Sequence, residues 1–165
     1  MKTKGRYIVL AACVVLITIL LVGCADPVKV HMDKAGTYWV QGKFDEAIGE
    51  FTEAIELNPD VDLAALAYVG RASCYHSKGD RVDNQGGEYD KAIADCNKAI
   101  ELGNKVIKLD PESNTLALAY YQRGWVYSDK DEDDKAIADF EKCIEVSRDS
   151  SLIQMAQERL DELRA

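Results

Sequence analysis

The feature that most constrains this chain is that it repeats itself. The run AIADxxKxI stands at residues 92–100 and again at 136–144. A looser copy begins at Ala47. In each copy an apolar stripe recurs at helical steps: Ala47, Phe51 and Ala54; Ala92, Cys96 and Ala99; Ala136, Phe140 and Cys143. Such spacing keeps all three residues on one face of a helix. Upstream of each stripe lies a second recurrent pair, a small residue with a Tyr three positions on: Ala35/Tyr38, Ala72/Tyr75 and Gly124/Tyr127. The small residue lets two helices approach closely, and the ring fills the space beside the contact. Each unit therefore reads as a helical hairpin with one buried stripe per helix. A single hairpin cannot bury both its faces, so the units must stack.

The deviations from strict repetition are informative. Ala65 and Ala117 lie six residues after Pro59 and Pro111, which predicts about one further turn at the start of each following helix. Arg81 to Glu88 (RVDNQGGE) is an eight-residue insert in the second hairpin's turn, with loop composition. Past Leu102, Ile100/Ile107 and Leu102/Leu109 are each seven apart. That predicts a helix running about two turns beyond Gly103; the alternative is a break at Gly103-Asn104. Ser150 to Arg164 forms one more helix, with Ile153, Ala156, Leu160 and Leu163 as its inward stripe. Such a terminal helix would cover the open face of the last repeat.

These residues resemble the tetratricopeptide repeat, a helix-turn-helix unit of about 34 residues. The first repeat matches best in its second half, at Gly42, Phe44, Ala47, Phe51, Ala54 and Pro59. Its first half departs, with His31 at the large aromatic position and Lys34 at the Leu position. The third matches at Tyr120, Gly124, Tyr127, Ala136 and Phe140, but has Asp131 where Gly is usual and Arg148 where Pro is usual. The resemblance implies an all-α, right-handed superhelix of three hairpins (about 28–61, 62–114 and 115–148), then a capping helix over 149–165.

Little in the sequence carries chemistry. His31 and His76 sit in different repeats, and neither is read as having an Asp or Glu at a metal-ligand spacing. No nucleophile elbow, zinc-protease or nucleotide-loop motif occurs. The acids at Asp131 to Asp134 read as a solvated turn. The expectation is a non-enzyme without cofactor or metal. By resemblance, the first helix of each hairpin lines a concave face that binds partners. Carried over by position, the candidate residues are Lys29, Met32, Trp39, Val69, Ser73, His76, Tyr121, Trp125 and Asp129. Both tryptophans of the chain fall on that face. They serve either recognition or packing against neighbouring helices. Chaperone-adaptor members of the family clamp a C-terminal carboxylate with basic and Asn residues. Here Met32, Gly36, Ser73, Leu118 and Gln122 occupy those places, so that class of tail does not fit.

The N-terminus concerns location. Lys2, Lys4 and Arg6 precede a 16-residue apolar run, Tyr7 to Val22. As a helix that run spans about 24 Å, short for a hydrocarbon core of about 30 Å. Leu21-Val22-Gly23-Cys24 resembles the lipobox of bacterial lipoproteins. The resemblance implies a signal peptide over 1–23, lipidation of Cys24, and a short tether over 24–27. An uncleaved signal anchor is the alternative. Ala25, rather than Asp, follows the Cys and points towards the outer membrane. Beyond residue 23 the chain carries 17 basic and 29 acidic groups, a net charge of −12 against −9 overall. That argues against nucleic acid and against charge-driven docking on anionic lipid. Cys74, Cys96 and Cys143 are expected as buried thiols, with a Cys74–Cys96 disulfide as the alternative. The functional expectation is a membrane-anchored scaffold that binds a protein or peptide in the bacterial envelope. The alternative is an accessory for a small ligand or transport, with Met32, Val69, Tyr121 and Trp125 lining its pocket.

Overall fold

The computed structural model describes residues 26–81 and 87–165. Residues 1–25, with the lipobox-like segment, and residues 82–86 of the insert lie outside the described residues. Seven α-helices follow: α1 (Pro27–Val40), α2 (Phe44–Glu56), α3 (Val61–Arg81), α4 (Glu88–Leu109), α5 (Thr115–Ser128), α6 (Asp133–Val146) and α7 (Ser150–Arg164). There is no strand among the described residues. No helix among them is long and apolar enough to cross a membrane.

Local chemistry sets the helix ends. Pro27 opens α1, and the Asp26 carboxylate accepts from Val28 N at 3.0 Å. Asp60 and Asp149 cap α3 and α7 in the same way, accepting from Leu63 N at 2.9 Å and Ser151 N at 2.8 Å. Between α1 and α2 the chain reverses at Gly42, whose φ is +69°. The equivalent reversal between α5 and α6 uses Asp131 at φ +57°, a strained setting for a residue with a Cβ.

The stripes read from the repeat form the seams. Ala47, Ala54, Ala92, Cys96, Ala99, Ala136, Phe140 and Cys143 are fully buried, and Phe51 nearly so. They meet Ala35, Ala72 and the buried Gly124 from the first helices. All three described thiols are free and sit in these seams, in place of a Cys74–Cys96 disulfide. Burial raises Cys74 and Cys143 to about 12 and pushes Cys96 up as well. Buried ion pairs lock two of the hairpins. Arg71 donates to both oxygens of Asp95 at 2.8 and 2.9 Å, and Arg123 to both of Asp139 at 2.7 Å. These hydrogen bonds raise both guanidinium pKa values further. In the first hairpin Glu50 holds the equivalent place and meets His31 Nδ1 at 2.6 Å.

Helix α4 runs unbroken through Gly103 to Leu109. A Cβ on Gly103 would stand 3.0 Å from Leu116 Cα, so this glycine permits α4 and α5 to touch rather than ending the helix. Three expectations are corrected. The extra turn after Pro59 is present, because α3 starts four residues before Ala65. After Pro111 it is absent: α5 starts at Thr115, behind a turn in which Asp110 Oδ1 accepts from Glu112 N at 3.1 Å. The insert is shorter than its composition suggests. Arg81 ends α3 and donates to Gly42 O at 3.0 Å, while Glu88 is buried at the start of α4, 3.1 Å from Lys91. In α7 the buried residues are Leu152, Ala156 and Leu160, joined by Leu163. Leu152 takes the place expected for Ile153. The stripe still packs on Ala136, Phe140 and Cys143, so α7 covers the last hairpin.

Candidate functional site: the concave face

The first helices of successive hairpins touch, α1 on α3 and α3 on α5. One repeat position therefore comes round three times on the inner surface. Counting from Ala35, Ala72 and Gly124, one such position is Gly36, Ser73 and Trp125; another is Trp39, His76 and Ser128. The first hairpin thus places a tryptophan beside a glycine, and the third places a tryptophan at the glycine's own position.

The consequence is a cavity of about 240 Å³ lined by Gly36, Trp39, Phe51, Gly70 and Ser73. Its two glycines differ in kind. A Cβ on Gly70 would lie 2.3 Å from Phe51 Cζ, so packing demands that glycine. A Cβ on Gly36 would meet nothing within 4 Å. Glycine inside a helix costs about 1 kcal/mol relative to alanine. No helix contact explains that cost at Gly36; the residue leaves space on the inner face. Trp39 remains 44% exposed beside it, and Val40, next in the chain, 78%.

Further along the face, the polar residues bind one another. Ser73 Oγ lies 3.0 Å from Gln122 Oε1 and donates to Val69 O at 3.0 Å. Gln122 Nε2 stands 3.2 Å from His76 Nδ1, and His76 Nε2 is 2.5 Å from Asp129 Oδ2. The chain of contacts joins the second hairpin to the third. It also takes in Asp80, whose Oδ1 is 3.8 Å from His76 Nε2 and accepts from Tyr89 Oη at 2.7 Å.

The expected site residues thus fall into groups. Ser73, His76 and Asp129 are brought together. Trp39 and Ser73 share the cavity. Lys29 is exposed on the first turn of α1, and Met32 is half-buried against the first seam. Val69 contributes its carbonyl to Ser73. The two tryptophans part company. Trp125 is half-buried, with the Arg159 guanidinium of α7 4.0 Å from its ring centroid, His76 at 6.2 Å and Tyr121 at 6.4 Å. Tyr121 in turn packs on Phe140 at 5.7 Å. Trp125 is a packing residue and Trp39 an open one. The set Met32, Val69, Tyr121 and Trp125 does not enclose the cavity; Gly36, Trp39, Phe51, Gly70 and Ser73 do. Sequence reading passed over Phe51 and Gly70, which look like core. It also passed over Asp80, although its place one turn after His76 was the available signal.

Models of the tetratricopeptide repeat match residues 32–114 and 117–150. The chain belongs to the tetratricopeptide repeat family. No curated protein matches it as a relative. Similar solved structures include the first repeat domain of human RPAP3 (TM-score 0.63, 23% identity, spanning 84% of this chain and 92% of that one). The same domain of Spaghetti (RPAP3), bound to the HSP90 peptide SRMEEVD, gives 0.61 and 24%, over 83% and 90%. A tetratricopeptide-like protein of Chlorobium tepidum gives 0.63 and 18%, over 84% and 94%. At these identities the likeness speaks for the fold of the array: an all-α helical-repeat superhelix.

Proposed function

We propose that the protein is a binding scaffold that holds a peptide or a protein segment on its concave face, at the junction of the first two hairpins. The observation that carries this is the cavity beside Trp39, opened by a glycine that no packing contact requires. An exposed tryptophan next to an apolar recess is the usual anchor of a protein interface. The recess, at about 240 Å³, is smaller than the roughly 300–1,000 Å³ of small-molecule sites. That size favours one inserted side chain over a free ligand.

The relatives of known structure include domains that hold an HSP90 peptide. The acidic SRMEEVD tail is a poor model for this partner. The chain is itself acidic, and Ser73 and Gln122, at two of the family's clamp positions, are bonded to each other. An apolar side chain on a neutral or basic segment fits better. The reading places the scaffold on the outer side of a bacterial membrane, anchored by lipid on Cys24. Its support there is the sequence of residues 1–24 alone. No catalytic role is assigned to any residue.

Capture of envelope proteins by the full chain tests both parts. Trp39→Ala and Gly36→Leu should each abolish capture of a partner that Trp125→Ala, if folded, retains. Equal capture by all three variants rejects the cavity as the contact. Cys24→Ser should release the protein from the membrane fraction, and continued membrane retention rejects the lipid anchor.

A further inference from the structure

His76, Asp80 and Asp129 each offer a ligand atom, and these three atoms lie within 4.8 Å of one another. We propose that they form a binding site for zinc or a similar divalent cation, where the second and third hairpins meet. His76 and Asp80 are one helical turn apart on α3, which puts both on one face. Asp129 arrives from the end of α5, 53 residues along the chain from His76. One imidazole and two carboxylates suit zinc and its neighbours better than calcium or magnesium, which prefer oxygen alone.

The distances need small adjustments only. Tetrahedral zinc, with bonds of about 2.0–2.2 Å, sets its ligand atoms about 3.3 Å apart. His76 Nε2 is 2.5 Å from Asp129 and 3.8 Å from Asp80, so one carboxylate moves out and the other in. Both acids are on the surface, with side chains 33% and 50% exposed, and can turn. The histidine is buried and fixed. With three protein ligands, a water would complete a four-coordinate set, the open-site layout.

The surrounding hydrogen bonds carry the inference beyond a chance cluster. A ligating histidine is normally oriented through its other ring nitrogen, and ligating carboxylates are held by further donors. Both devices are present: Gln122 at His76 Nδ1, 3.2 Å, and Tyr89 Oη at Asp80, 2.7 Å. The Gln122 amide satisfies the network in either orientation, since its O and N exchange places without moving. With the amide nitrogen towards the ring, Nε2 keeps its proton and donates to Asp129. With the amide reversed, Nδ1–H donates to Gln122 Oε1 and the Gln122 amide donates to Ser73 Oγ. Ser73 then donates to Val69 O, and the Nε2 lone pair is free for a cation. Passing from the first arrangement to the second, Nε2 gives its proton to solvent and Nδ1 takes one up, so the ring stays neutral and no electron changes hands.

The proposal does not rest on the partner-binding reading, since it needs no partner. The test is calorimetric titration of zinc into the untagged full chain in detergent, alongside Asp80→Asn, Asp129→Asn and Gln122→Ala. Circular dichroism and thermal midpoint without metal establish that each variant folds. Asp80→Asn, on a half-exposed side chain, is the variant that keeps the test decisive. The wild type should bind one zinc and gain thermal stability from it. Gln122→Ala should weaken binding about 10–100-fold, the scale of lost outer-shell support, and each Asn variant at least as much. Cobalt(II) in place of zinc should show the visible bands of a four-coordinate site in the wild type only. Zinc affinity equal in wild type and Asp80→Asn would place the ion elsewhere on the acidic surface and overturn the proposal. Absence of binding to the wild type would overturn it as well.

Discussion

The first and third hairpins are built to one plan but differ where they meet solvent. In the third, α7 lies over the seam, Arg159 stacks on Trp125, and Phe140 is sealed. In the first, Trp39 and Val40 stay exposed, and Gly36 holds space open. Even the ion pair differs: Arg123 grips Asp139 with two hydrogen bonds, while Glu50 meets His31 through a single contact among the described residues, both partly exposed. The lesson is that one end of the array is invested in stability and the other in access. A position occupied by tryptophan in one repeat and glycine in another is a wall in the first case and a doorway in the second.

The largest test of this asymmetry is at the covered end. Leu160, on the inner face of α7, is 2% exposed. Leu160→Asp places a charge in that seam and should cost at least about 3 kcal/mol, a large part of the 5–15 kcal/mol of a whole domain. Deleting residues 150–165 should do the same and promote association, as it bares Phe140 and Cys143. Val40→Asp at the open end should change the thermal midpoint hardly at all. Equal losses at the two ends would erase the distinction.

Next come the two cavity glycines. Gly70→Ala should cost about 1–3 kcal/mol, because its methyl group runs into the Phe51 ring. Gly36→Leu should leave the midpoint unchanged or raise it, since a better helix former enters open space. Urea unfolding of both variants separates a packing glycine from an opening one.

The thiols give a third test, in which the two ends should agree. Burial holds Cys74, in the first seam, and Cys143, in the last, near 12 when folded, above the roughly 8.5–9 of an exposed thiol. The unfolded chain therefore ionises first. The stabilisation is whole below about pH 8.5 and is lost as pH climbs from there towards the folded value, at about 1–2 kcal/mol per thiol by pH 10. Thermal midpoints between neutral and alkaline pH should fall less steeply in Cys74→Ala and in Cys143→Ala, by similar amounts. A slope unaltered in both would contradict burial as the cause.

The smallest effect is at the turns. Gly42 takes its left-handed conformation freely, whereas Asp131 pays for the same one. Asp131→Gly should stabilise by about 0.5–1 kcal/mol, less what glycine adds to unfolded-chain freedom. Chemical denaturation resolves that gain; a loss would mean the Asp131 side chain supports its turn.

Much of this was legible in the sequence because repetition averages out local ambiguity. Three copies of one stripe fixed which face of α2, α4 and α6 is buried, and the seven-residue spacing carried α4 past Gly103. What failed was what the repeats do not share. Ile153 and Leu152 are adjacent and equally apolar, so periodicity alone did not fix the phase of α7. The same six-residue spacing predicts an extension after Pro59 and after Pro111, but Asp110 closes a turn at the second. Trp125 and Trp39 read alike in the sequence; what separates them is Arg159 of α7, which stacks on Trp125. His76 and Asp129 meet across 53 residues, a contact that only the stacking of α3 on α5 creates.

The central claim is that partners enter beside Trp39, and site-specific photocrosslinking in living cells addresses it most directly. A crosslinking amino acid at Val40, exposed beside Trp39 and leaving the recess open, samples the proposed entry, and one at Leu57, also exposed, samples the end of α2. The account predicts a discrete adduct from position 40 that disappears with Trp39→Ala, and none from position 57. An adduct from position 57 with none from position 40 would contradict it.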